Sequence, residues 1–266
     1  MTSPTATLSS NELKDILRII GLARNDGELY INQREKYQES LTMAEHIAKI
    51  ANKITKRKTL MLLDCACGKA YLSFLLNYAL TEKIGRSAYF IGVDNNAQLI
   101  GKCIQAQQLL GFKNMEFHAT NIMELILEEK PDITYCLHAC DTATDETIAK
   151  GIISDSRFIT AVPCCQREIS NKIRNHPLTP MTQFSKIKEQ LCSLITDSMR
   201  ALILAASGYK VEIFEFIPSK ITPKNLMLRA EKIRQNHIEA LEQYWQLRNL
   251  FNVRPKIEEY LTWLRP

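Results

Sequence analysis

The chain has 266 residues, of which 45% are hydrophobic and 24% charged, and its formal net charge is +5. These values are ordinary for a soluble globular protein, and no apolar run approaches the ~18 residues of a membrane span, so we expect no membrane partner. The mild positive charge permits an anionic partner such as RNA without establishing one.

The first part of the chain is predicted to be helical. Leu13, Ile16, Leu17 and Ile20 recur at the spacing of an amphipathic helix, and Gly21 ends it. A second helix is predicted over about residues 32–54. We therefore expect residues 1–58 to form an N-terminal helical extension.

Strands and helices alternate from residue 59 onwards, which predicts an α/β fold with a mostly parallel sheet. The expected strands lie near residues 60–64, 88–93, 115–119, 132–138, 157–162, 210–217 and 225–230. The expected helices lie near residues 70–82, 96–110, 122–129, 143–152 and 182–206. Because a short loop joins the last two strands, we expect them to be antiparallel neighbours. Residues 59–230 would form the main domain, and residues 231–266 would form helices packed on it.

The eight cysteines point to a reducing compartment. The N-terminus lacks the charged start and apolar core of a signal peptide, and neither the CxC step nor the adjacent Cys164–Cys165 pair is typical of a disulfide framework. We therefore expect reduced thiols in a cytoplasmic protein.

The most informative segment is LMLLDCACGKAYLSF, residues 60–74. A buried strand ends at Asp64, and a turn of small residues then leads into a helix. The next predicted strand ends at Asp94. Such a pair of strands is typical of a nucleotide-type crevice, in which the second carboxylate accepts hydrogen bonds from ribose hydroxyls.

This segment resembles the first turn of the class I S-adenosylmethionine-dependent methyltransferases, which usually reads acidic-x-Gly-x-Gly-x-Gly. Here Gly68 is kept, while Ala66 and Ala70 replace the other glycines. The resemblance implies a Rossmann-like seven-stranded methyltransferase sheet and S-adenosyl-L-methionine as cofactor. It implies these cofactor-binding residues: Asp64, Ala66, Cys67, Gly68, Asp94, Asn95, Asn121 and His138.

Two other nucleotide folds are disfavoured by the same turn. A dinucleotide-binding site expects Gly-x-Gly-x-x-Gly, which residues 65–71 do not supply. A P-loop expects Lys-Ser/Thr directly after the turn, and no such pair follows residues 65–70.

A second candidate constellation follows the fourth and fifth strands. The segments HACDTATD (residues 138–145) and PCC (residues 163–165) resemble a group of methyltransferase-domain proteins without an established substrate, and more distantly tRNA ribose methyltransferases. We assign candidate catalytic roles to His138, Asp141, Cys164 and Cys165. His138 is the candidate base, because imidazole titrates near neutral pH, and Asp141 or Asp145 would orient it or bind substrate.

Two other interpretations of these residues stay open. His138, Cys140, Cys164 and Cys165 could converge on zinc, but side chains alternate along an extended segment, so we assign no metal. Cys164 or Cys165 could be a covalent nucleophile, which needs positive charge to hold a thiolate.

Purely structural roles are also possible. Asp141 or Thr142 would cap the helix that follows, with Asp145 in its first turn. His138 could be a core histidine with its hydrogen bonds satisfied, and Cys136 a core residue.

Residues 166–181 are expected to be a loop whose cations, among them Arg167 and Arg174, could meet phosphates. No Asn/Asp-Pro-Pro-Tyr/Phe/Trp motif follows the fourth strand, so the chain does not resemble the methyltransferases that act on exocyclic amines of adenine. The predicted function is methyl transfer from S-adenosylmethionine, with tRNA or rRNA as the leading acceptor. A protein or small-molecule acceptor, or a non-catalytic binding module with the same fold, is the alternative.

Overall fold

The computed structural model describes residues 11–233 and 238–264. Its strands form one sheet in the order β3-β2-β1-β4-β5-β7-β6. They are β1 (Leu60–Cys65), β2 (Ala88–Asp94), β3 (Met115–Ala119), β4 (Ile133–Leu137), β5 (Phe158–Val162), β6 (Tyr209–Glu215) and β7 (Leu226–Lys232).

The direction of the strands agrees with the predicted α/β class. β1 pairs with β2, β2 with β3, and β4 with β5, all in parallel. β7 runs antiparallel to both of its neighbours, β5 and β6. The predicted seven-stranded, mostly parallel sheet with an antiparallel last pair is therefore confirmed.

The chain divides into two compact units, and the boundary lies between Asn121 and Ile122. In the first unit, α2 packs against α3, and α1 contacts α3 and α4. Its helices are α1 (Asn11–Ile19), α2 (Arg34–Ala51), α3 (Tyr71–Tyr78) and α4 (Ala97–Leu110), with a short 3-10 turn at Ile31–Gln33 and a π-helical turn at Ala79–Lys83.

The second unit carries the remaining helices. They are α5 (Thr142–Ile153), α6 (Arg167–Lys172), α7 (Thr179–Thr182), α8 (Ser185–Ala206), α9 (Ile238–Leu250) and α10 (Ile257–Tyr260), followed by a 3-10 turn at Thr262–Leu264. α9 packs on α8 and α10 on α5. Tyr244 and Leu264 lie fully buried in the same core cluster as Ile148 and Ile203, so the last helices share the core of this unit.

Two predicted elements are wrong. The helix expected over residues 122–129 is a turn followed by irregular chain. Lys150 is buried and donates to the carbonyl oxygen of Leu125, while Ile126 is 89% exposed, so the apolar residues do not share one helical face.

The segment expected to be a loop, residues 166–181, contains α6 and most of α7 instead. The backbone N–H of Glu168, in the first turn of α6, donates to Oδ1 of Asp141 over 2.9 Å. A cap supplied from 27 residues away gives no local signal in the sequence.

Among the described residues, no helix combines the length and apolar character that a membrane crossing requires.

Candidate functional site

The turn between β1 and α3 has an unusual backbone. Ala66, Gly68 and Ala70 have φ values of 54°, 55° and 52°. Left-handed backbone is strained for alanine but not for glycine. The turn therefore keeps a left-handed conformation at all three positions where the resembled motif has glycine, although two of them are alanine.

Hydrogen bonds hold this turn in place. The N–H of Cys67 donates to the carbonyl of Val93 over 3.0 Å, and that of Ala70 to the carbonyl of Cys67 over 2.7 Å. The thiol of Cys103, on α4, contacts the carbonyl oxygen of Gly68 at 3.3 Å. Neighbouring elements thus fix the turn, and no sequence motif indicates that Cys103 contacts it.

Asp94 joins the end of β2 to the turn. Its Oδ2 accepts the N–H of Gly68 and its Oδ1 accepts the N–H of Asn96, each over 2.9 Å. Asn96 in turn caps α4, since its Oδ1 accepts the N–H groups of Gln98 and Leu99. A carboxylate has about four lone-pair sites, so Asp94 keeps acceptor capacity for hydroxyl donors.

Asp64 is buried behind the turn, with 3% of its surface exposed. The hydroxyl of Ser73 donates to its Oδ2 over 2.6 Å. Burial raises the pKa of Asp64 to about 7, and the charge of Asp94 adds to this effect while the Ser73 bond opposes it. Near neutral pH this carboxyl group can therefore gain or lose a proton.

The other cofactor residues predicted in this unit lie around the same edge of the sheet. Asn95 is exposed beside Asp94. Asn121 follows β3, next to Thr120, whose N–H donates to the carbonyl of Asp94 over 3.1 Å. The pKa of the Cys67 thiol is raised well above its usual value, first by its hydrogen bond with Cys103 and then by burial, so Cys67 is a neutral thiol.

In the second unit, His138 begins the loop after β4. It has a φ of 57°, and its N–H donates to the carbonyl of Val162 over 2.8 Å. His138 is half-buried. Its roles as base and as cofactor contact stay predictions.

Asp141 and Asp145 have structural partners. Asp141 precedes α5 but makes no side-chain bond to it, so the expected cap of that helix is wrong and the carboxylate caps α6 instead. Asp145 accepts from Nε of Arg200 over 2.7 Å, and both side chains are buried. Arg200 also donates to Asp197 and to the carbonyl of Asp141, each over 3.0 Å.

The cysteines after β4 and β5 come together. The sulfurs of Cys140, Cys164 and Cys165 all lie within 4.8 Å of one another. The expectation that neighbouring cysteines point apart is wrong here, because β5 ends at Val162 and the pair lies in irregular chain where side chains need not alternate.

The chemistry of these thiols argues against a free nucleophile. Burial, followed by the neighbouring Cys140 thiol, raises the pKa of both Cys164 and Cys165. A nucleophilic cysteine needs the opposite shift.

A cavity of about 540 Å³ opens beside the end of β5. Both polar and apolar side chains line it: Pro163, Gln166, Lys186, Glu189, Gln190, Ser193, Leu194, Asp197, Pro223, Lys224, Asn225 and Leu226. Gln166 donates to Asp197 over 3.4 Å, which links the residue after the cysteine pair to α8.

Comparisons with known proteins bear on this site. A family model described as a methyltransferase domain matches residues 35–172, just over half of the chain. A search of curated proteins found no match.

Solved structures with similar folds include magnesium protoporphyrin IX methyltransferase from Synechocystis PCC 6803 with bound SAH (16% identity, 84% of this chain and 94% of that chain, TM-score 0.49). A candidate class I S-adenosylmethionine-dependent methyltransferase from Listeria monocytogenes has 16% identity over 85% of this chain and 69% of that chain, with a TM-score of 0.48. The plantazolicin methyltransferase BpumL in complex with SAH has 12% identity over 83% and 96%, with a TM-score of 0.48.

Proposed function

Because the chain belongs to the methyltransferase-domain family, we propose that it catalyses methyl transfer from S-adenosyl-L-methionine. The observation that carries this proposal is the turn after β1, where Gly68 N–H is bonded to Asp94 and left-handed backbone is kept at residues 66, 68 and 70. A Cβ built on Gly68 would meet no atom within 4 Å. The turn therefore offers bare backbone to a ligand, as a cofactor crevice requires.

Different residues at and near this turn would contact different parts of the cofactor. Asp94 would accept the ribose hydroxyls through its remaining lone pairs. Ala66, Cys67 and Gly68 would lie against the methionine end, with Asp64 behind them. Asn95 and Asn121 would border the nucleoside.

The cofactor, when bound, supplies a methyl group on a positively charged sulfur, and the acceptor attacks that carbon in line. The protein's main contribution is to orient the acceptor. If the acceptor carries a proton, a base must take it, and we assign that role to His138.

The first experiment is calorimetric titration of the full chain with S-adenosylmethionine and S-adenosylhomocysteine. We expect Asp94→Ala to weaken affinity by more than tenfold, about 1.4 kcal/mol. Asp15→Ala, which removes an exposed carboxylate from α1, is the matched control and should bind normally. Thermal melting of both variants checks that each protein is still folded.

Either result is informative. Unchanged affinity in a folded Asp94→Ala variant would contradict the ribose assignment. No binding by the folded wild-type chain would favour the non-catalytic binding module.

RNA is the acceptor class to test first. Its support is the net charge of +5 and the exposed cations Arg167 and Arg174, which follow the cysteine pair. Labelled methyl transfer into cellular RNA and protein fractions would compare the two classes. Binding of RNA should weaken steeply as salt rises, whereas a salt-independent acceptor would favour a neutral small molecule or a protein.

A further inference from the structure

Three cysteine sulfurs from two separate loops meet at one point in the second unit. Cys140 comes from the loop after β4, and Cys164 and Cys165 follow β5. Their sulfurs all lie within 4.8 Å of one another. Among the described residues, no fourth histidine, cysteine or carboxylate joins this group.

We propose that Cys140, Cys164 and Cys165 form a binding site for a thiophilic divalent metal ion, with Zn²⁺ as its natural occupant. Zinc prefers thiolate ligands in a tetrahedral arrangement. Three protein ligands leave its fourth position open to water or to a ligand, as in catalytic rather than structural zinc sites.

The distance between the sulfurs of Cys164 and Cys165 already suits this geometry. A Zn–S bond of about 2.3 Å places tetrahedral sulfurs about 3.8 Å apart. The sulfurs of Cys164 and Cys165 are 3.8 Å apart. Those of Cys140 and Cys164 are 2.9 Å apart, so Cys140 would have to move outwards, which its exposed position allows.

The backbone holds the two loops together independently of any metal. The N–H of His138 donates to the carbonyl of Val162, at the end of β5, over 2.8 Å. The carboxylate of Asp141 caps α6, which follows the cysteine pair. The cysteines are thus carried by a fixed frame, so little ordering is needed when the metal binds.

The conformation around Cys140 points the same way. His138 and Asp141 have φ values of 57° and 55°, which side chains other than glycine seldom adopt. These left-handed residues flank Ala139 and Cys140, so the backbone on both sides of the Cys140 thiol is conformationally restricted.

The competing assignment is a disulfide between Cys140 and Cys164. Their sulfurs are farther apart than the 2.05 Å of an S–S bond. A disulfide between Cys140 and Cys164 would also not explain why the sulfur of Cys165 lies beside them. The site we propose uses all three.

The test is a competition titration of the reduced, chelator-treated full chain with Zn²⁺ against a chromogenic chelator, with Co²⁺ absorption reporting thiolate coordination. We expect one equivalent to bind and Co²⁺ to give a thiolate charge-transfer band. Cys140→Ser should weaken binding by more than about 100-fold, the upper end of the effect of disturbing a ligand's support. Because Cys140 is exposed, this variant should keep the fold.

The matched control is Cys192→Ala, which removes a thiol of the same unit from the α8 core, outside the cluster. It should bind metal like the wild type. Retained affinity in a folded Cys140→Ser variant would overturn the proposal. So would protein that binds no metal but, on oxidation, shows a Cys140–Cys164 disulfide by peptide mapping. Because the readout is metal binding, a negative result leaves the proposed methyl transfer untouched.

Discussion

Replacing Ala66 by glycine should stabilise this protein, although glycine usually does the opposite. Ala66 has a φ of 54°, and a left-handed conformation costs a residue with a Cβ about 1–2 kcal/mol. Glycine removes that strain, but it lowers the free energy of unfolding by about 0.5–1 kcal/mol because it has more conformational entropy to lose on folding. We therefore expect a net gain of about 0.5 kcal/mol.

A matched control isolates the strain. Ala79 is half-buried like Ala66, but its φ and ψ are −63° and −41°, which alanine favours. Ala79→Gly should therefore lose about 0.5–1 kcal/mol. The difference between the two variants should be about 1–2 kcal/mol, which is the left-handed strain itself.

Urea unfolding of the wild type and both variants, at one pH and temperature, measures these free energies directly. If Ala66→Gly and Ala79→Gly destabilise the protein equally, Ala66 carries no left-handed strain and our account of the turn is wrong. Ala70 is less suitable for this test, because its methyl group is buried and its removal would offset the gain.

Three further predictions address the two units separately. Since burial raises the pKa of Asp64 to about 7, the folded state binds a proton that the unfolded state releases near pH 4, so stability should fall between about pH 4 and 7 by up to about 1.4 kcal/mol per unit. In urea unfolding, the free energy of unfolding of Asp64→Asn should depend less on pH than that of the wild type. If the two proteins show the same pH dependence, the pKa of Asp64 is not raised. Arg200→Met leaves two buried carboxylates, Asp145 and Asp197, without their ion-pair partner. The free energy of unfolding should fall by about 3–5 kcal/mol. A fall below about 1 kcal/mol in urea unfolding would show that the guanidinium is not needed for stability. His138→Ala should leave the calorimetric cofactor affinity largely intact, because His138 is only one of several predicted cofactor contacts, and should slow transfer by about 100-fold or more; full activity would exclude His138 as the base.

The sheet could be predicted because its signals are local. The strands β1, β2, β4 and β5 are short, mostly buried apolar runs. Gly111 and Gly208, with φ of 67° and 84°, follow the helices α4 and α8. The absence of a helix at residues 122–129 and the presence of helix α6 could not be predicted, because neither has a local sequence signal. Both depend on partners far along the chain, Lys150 for Leu125 and Asp141 for Glu168.

The candidate site shows the same division. Asp64 and Asp94 could be identified because each lies at or next to the end of an apolar strand, and their proximity follows from the βαβ unit. The partners Ser73 and Cys103 carry no motif, since their roles appear only when α3 and α4 are placed. The three cysteines could be named as possible zinc ligands, but their convergence could not be predicted, because Cys164 and Cys165 lie in irregular chain and not in an extended segment with alternating side chains.

The two alanines in the turn bear directly on whether the crevice is still functional. Each left-handed alanine costs about 1–2 kcal/mol, so the turn survives only if other contacts offset that cost. The hydrogen bond from Gly68 to the charged Asp94 contributes about 1.5–3 kcal/mol, and the bonds of Cys67 and Ala70 add to it. Since these contacts are sufficient to keep the turn open at Gly68, loss of the flanking glycines is not by itself an argument for loss of cofactor binding.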